Sequence, residues 1–295
     1  MLASEPIIHQ AAGLQHINRH RPVRVICVTS GKGGVGKTNI TVNLAIALGR
    51  QHKSVMLLDA DLGLANVDVI LGLYPTYNIS HVISGQRTLE EIILTGPAGI
   101  KIIPASSGIK HMAELTPAEN AGMISAFSEL NDALDVLLVD SAAGISESVI
   151  TFCRASQDVI VVVCDEPASI TDAYALIKLL SQAHGIDRFH ILANRVLGSQ
   201  DGPELFSKLV KVSDRFLDVT LDYCGAIPED PQLHRAVQTQ RAVIEAFPGS
   251  RSAAAFLRLA AQVERWPMPR TASGHLQFFI ERLINSDYQD EVHRE

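Results

Sequence analysis

Short apolar runs bounded by turn residues recur along the chain from Val23 onward. Residues 23–30 (VRVICVTS), 54–61 (SVMLLDAD), 100–104, 135–140, 158–164 and 189–194 are rich in β-branched residues and short. Such runs suit strands covered on both faces, as in a parallel sheet. Residues 220–227 repeat the pattern more weakly. Between these runs, Thr38 to Gln51, Glu119 to Leu130, Ser169 to His184 and Pro203 to Leu217 are patterned as helices. Alternating strands and helices imply βαβ units. The expected class is therefore α/β: a doubly wound, mostly parallel sheet flanked by helices. A chain of 295 residues leaves room for two domains, and one doubly wound domain also fits.

Both ends fall outside the alternation. Residues 1–22 precede the first strand and hold one apolar patch, Ile7 to Leu14. After a helix-like stretch from Arg251 to Trp266, residues 267–274 (PMPRTASG) have the composition of a linker. In 275–295, Leu276, Phe279, Ile280, Leu283 and Ile284 form one helical stripe, followed by an acidic tail with Asp287, Asp290 and Glu291. That stripe fits an interfacial membrane helix or a helix packed in a groove of its own domain.

Composition narrows the function. A net charge of −7 argues against a nucleic-acid surface, and no direct DNA binding is expected. The four cysteines form no CxxC pair, and a disulfide framework does not suit so large and cysteine-poor a chain. No apolar run approaches the ~18 residues of a membrane span. The N-terminus shows no basic segment leading into an apolar one. The expected location is cytoplasmic.

The chemistry sits after the first strand, in Gly31-Lys32-Gly33-Gly34-Val35-Gly36-Lys37-Thr38. Strand, glycine-rich turn and helix are the context of a P-loop. The glycines let backbone N–H groups wrap phosphates, and the helix N-terminus favours their charge. Lys37 is placed to reach the β- and γ-phosphates of ATP, and the Thr38 hydroxyl to ligate Mg²⁺. Asp59 and Asp61 end the second strand, at the sheet edge where α/β folds bind ligands. Asp140 ends a later strand and suits a metal carboxylate.

Lys32 is a second lysine early in the loop, and KGGVGKT resembles the deviant Walker A motif of the MinD/ParA ATPases. The resemblance spans residues 23–266 and implies a single MinD-like ATPase domain. It implies a homodimer on ATP in which Lys32 reaches the partner's nucleotide, contacted across the interface by Asp172. It assigns 59–68 as switch I, with Asp61 positioning the attacking water and Asp59 supporting metal and loop. Residues 140–145 (DSAAGI) resemble switch II, with alanines where proline is commoner. Asn194, and Pro228 with Asp230, correspond to the family's adenine-reading positions.

Within that family the N-terminal arm is informative. Residues 9–15 (HQAAGLQ) resemble the DQAxxLR motif of the flagellar-number regulators, the FlhG/FleN branch, with Gln10 at the stimulating glutamine. His9 and Gln15 depart from the motif. This likeness implies an ATP-dependent switch controlling flagellar number and placement. Its implied partners are an FlhF-type GTPase, a master transcription activator of the FleQ/FlrA type, and reversibly the inner membrane face, at the cell pole. Leu276, Phe279, Ile280 and Leu283 are the expected membrane-facing residues of a helix docked without ATP and exposed in the dimer. The alternative is a MinD-like division-site or ParA-like partition ATPase.

Overall fold

The computed structural model describes residues 23–61, 66–104, 126–127, 134–267 and 280. Its first strand, β1 (Arg24–Ser30), is buried throughout. Side chains alternate across a strand, so Val25 and Cys27 join one apolar core while Ile26 and Val28 join the other. The near-continuous apolar runs are explained by these two cores, one on each face of the sheet.

The other strands are β2 (Val55–Ala60), β3 (Leu94–Thr95), β4 (Lys101–Pro104), β5 (Val136–Ala143), β6 (Asp158–Cys164), β7 (Arg188–Val196) and β8 (Thr220–Pro228). Among the described residues they form one sheet in the order β3-β4-β2-β5-β1-β6-β7-β8. All pairings are parallel except β3 with β4. The strand order turns at β1, with β5 on one side and β6 on the other. That reversal opens a crevice at the strand C-termini, where doubly wound folds bind ligands.

Helices α1 (Lys37–Arg50), α5 (Glu147–Ala155), α6 (Pro167–His184), α7 (Asp201–Ser213) and α10 (Arg251–Val263) cover the sheet, α10 lying on α1 and β8. Shorter helices are α2 (Val67–Leu71), α3 (Ile79–Ile83), α4 (Leu89–Ile92), α8 (Pro231–Gln238) and α9 (Val243–Ala246). The short ones were not apparent from periodicity, which needs more turns than they have. Caps mark three of their starts: Asn78 and Thr88 each close a capping box, and Asp230 caps α8. Most of the expected helix from Glu119 to Leu130 lies outside the described residues.

At the opposite edge of the sheet, a polar cluster fixes the end of the domain. Arg24 pairs with Asp158 at 2.8 Å and donates to the carbonyls of Trp266 and Pro267. The His190 ring stacks on Trp266 at 3.6 Å. Ile280 is helical and fully buried among the residues of the first core. Leu276, Phe279 and Leu283 lie outside the described residues, as does Gln10. No described helix is long and apolar enough to cross a membrane.

Candidate nucleotide site

The loop between β1 and α1 is shaped by what crowds it. A β-carbon at Gly31 would collide with the backbone of Asp172 and Ala173 on α6. Gly34 and Gly36 have φ of 77° and 94°, the left-handed region that glycine adopts freely. Gly36 also precedes α1 directly, so the loop runs into a helix N-terminus.

Lys37 is buried at the start of α1. Burial lowers its pKa, and the negative charges of Asp140 and Asp61 act the other way. Lys32 is oriented differently: it lies at the surface and pairs with Glu166 at 2.7 Å. That hydrogen bond and charge raise its pKa and lower that of Glu166.

Asp59 and Asp140 are in register on neighbouring strands. Burial, with the Asp140 charge second, raises the Asp59 carboxyl to about 7. Its oxygens accept from the N–H groups of Asp61, Asn66 and Val67, bracing both ends of the segment after β2. Asp140 is fully buried and raised to about 6, chiefly by burial, against the Thr38 and Thr41 hydroxyls and Lys37. Its Oδ1 accepts from Thr41 at 3.0 Å, whereas Oδ2 is buried with no hydrogen-bond partner. Two buried carboxylates, one with an orphaned oxygen, beside a threonine hydroxyl, fit a hard divalent cation. Among the described residues no three His, Cys, Asp or Glu side chains cluster for a metal. Such a site suits an ion held jointly by protein and phosphate.

Beside the loop lies a cavity of about 290 Å³, lined by Gly36, Asn194, Arg195, Pro228, Glu229 and His234 among others. Asn194 donates to the Val35 carbonyl at 2.7 Å, and Arg195 to that of Gly34 at 2.9 Å. Asp230, which caps α8, is not among the residues lining this cavity. Its carboxylate is buried and accepts from Gln232 N–H and from the N–H and hydroxyl of Ser252, capping α8 and tying it to α10. Of this corner, Pro228 and Glu229 line the cavity.

Of the sequence-derived residues, the structure brings together the loop, Asp59, Asp61, Asp140 and Asn194. Asp172 lies against Gly31 through its backbone. Glu166, Thr41 and Arg195 were not foreseen as participants. Thr41 carries a readable signal, a hydroxyl one turn beyond the loop helix's start. The roles of Glu166 and Arg195 depend on contacts 134 and 161 residues away in sequence.

This fold and loop define a P-loop ATPase. The ParA family model, described as "NUBPL iron-transfer P-loop NTPase", matches residues 22–264. The chain is 56% identical to the Antiactivator FleN of Pseudomonas aeruginosa, covering 92% of this chain and 97% of that protein. It is 37% identical to the flagellum site-determining protein YlxH of Helicobacter pylori, covering 74% of each. Among solved structures it is similar to the septum site-determining protein MinD of Pyrococcus horikoshii in complex with Mg-ADP. The TM-score is 0.65 at 28% identity, covering 82% of this chain and 96% of that one. The chain belongs to the MinD/ParA family of P-loop ATPases, in its FlhG/FleN branch.

Proposed function

We propose that this ATPase is a nucleotide-driven monomer–dimer switch that controls flagellar number and placement. The observation that carries the switch is Lys32. It stands at the surface on Glu166 instead of turning into its own loop, which suits a lysine destined for a second subunit's nucleotide. An exposed pair of this kind contributes little stability, so exchanging Glu166 for a partner's phosphates costs little.

Within one subunit, loop N–H groups and Lys37 hold the phosphates. Thr38, Asp59 and Asp140 hold Mg²⁺, which when bound neutralises charge on the phosphates. Asp61 orients the attacking water, and Asp172 receives the partner's Lys32. Loss of the γ-phosphate contacts then releases the dimer. A timer of this kind turns over slowly until a partner accelerates it.

The flagellar assignment is supported by the likeness to an antiactivator and to a flagellum site-determining protein. On this reading the ATP dimer restrains a FleQ/FlrA-type activator and engages an FlhF-type GTPase through the Gln10 arm. The C-terminal segment gives reversible contact with the inner membrane face. The test is light scattering with ATP and Mg²⁺, followed by pull-down of activator and GTPase. The native chain and Asp61→Ala should dimerise and retain both proteins, Asp61→Ala for longer, and Lys32→Ala should do neither. Equal behaviour of all three ends the switch hypothesis, and a dimer that retains neither protein favours a division-site or partition role.

A further inference from the structure

Successive residues of a strand point to opposite faces, so Asn194 and Arg195 at the end of β7 should not reach the same loop. They do. The pairing of β7 with β8 slips between Asn194 and Val196, which face Ile227 and Pro228, leaving Arg195 as the extra residue of a bulge. Arg195 has φ +58°, a left-handed conformation uncommon outside glycine. Bulges beside active sites re-aim side chains in this way. Here the bulge swings the guanidinium onto the Gly34 carbonyl, next to the Val35 carbonyl held by Asn194.

The consequence follows from the geometry of a peptide. In a planar trans peptide the C=O and N–H point in opposite directions. Fixing the carbonyls of Gly34 and Val35 from outside therefore aims the N–H groups of Val35 and Gly36 the other way, into the phosphate cradle. We propose that Arg195 is a positioning residue that pre-orients the phosphate loop, the bulge and its left-handed backbone being retained for that purpose. Preorganised donors bind charge without reorganising when it arrives.

The inference rests on the P-loop ATPase class and does not need the dimer switch, so it is tested by affinity and not by oligomeric state. The binding of Mg-ATP and of inorganic tripolyphosphate is measured by calorimetry for the native chain and for Arg195→Ala, Arg195→Lys and Arg195→Gly. Arg195→Ala should weaken both probes by a similar factor, about tenfold for one charge-assisted bond at the surface. Arg195→Lys should recover part of it. Arg195→Gly relieves the backbone yet should bind as weakly as Arg195→Ala, which separates lost orientation from lost folding. A loss confined to ATP would mean that the guanidinium touches base or ribose, and overturns the proposal. So does unchanged binding of both probes, or native affinity in Arg195→Gly.

Discussion

Asp59 and Asp140 sit side by side on neighbouring strands, and both titrate above the ordinary carboxylate value, at about 7 and about 6. Raised carboxyls stabilise the fold in their protonated form. Their contribution is complete below about pH 4, the unfolded value, and disappears as pH rises through 6 and 7. Without nucleotide and Mg²⁺, Asp59→Asn should therefore match the native chain near pH 5 and exceed it at pH 8. The gain in Tm at pH 8 should be on the order of a few degrees, followed by thermal unfolding at the two pH values. An equal difference at both values would show that burial and the Asp140 charge do not raise the Asp59 carboxyl in the folded protein. At this scale the sequence was informative for residues whose role is local. The loop glycines, Lys37 and the strand-end aspartates announce themselves by spacing and context. The tie from Asp230 to Ser252 did not, because Ser252 lies on a helix that no local pattern connects to it.

The corner from β8 to α10 is tied by that carboxylate and by Arg251, which donates to the Glu229 carbonyl at 3.1 Å. Asp230 starts α8, reaches α10 through Ser252, and leaves Pro228 and Glu229 facing the cavity beside the loop. Asp230→Ala removes a cap and strands two buried donors, at a cost of about 2 kcal/mol in stability. Because the side chain faces α10 and not the cavity, KM for ATP should change by less than about threefold. Urea unfolding and steady-state kinetics on the same preparation separate the two effects, and a large rise in KM would give Asp230 the base-reading role that the resemblance implies. Long elements were legible in the same sense as local residues. The strand runs and the helices after β1, β6 and β7 lie within a few residues of where periodicity puts them. Short elements were not, nor was α5, only nine residues long with Glu147, Ser148, Thr151 and Arg154 among its apolar positions.

For the molecule as a whole, the question is how the site communicates with the C-terminal segment. Ile280 is fully buried in the first core, and the helix that carries it is expected to be docked without ATP and exposed in the dimer. Ile280→Ala should cost about 2–5 kcal/mol of stability in the nucleotide-free protein. Under the switch, the penalty should shrink in ATP-bound Asp61→Ala protein. A penalty equal in both states, by urea titration with and without ATP, would make the segment a permanent part of the core.

The strand order also bears on how the protein is made. β1 leaves the ribosome first, yet its neighbours begin at Val136 and Asp158, and the carbonyls of its loop await Asn194 and Arg195. Contacts so distant in sequence form late and slowly. About two thirds of the chain must be synthesised before the phosphate loop has its supports. Until then β1, apolar on both faces, is a segment for chaperones to shield.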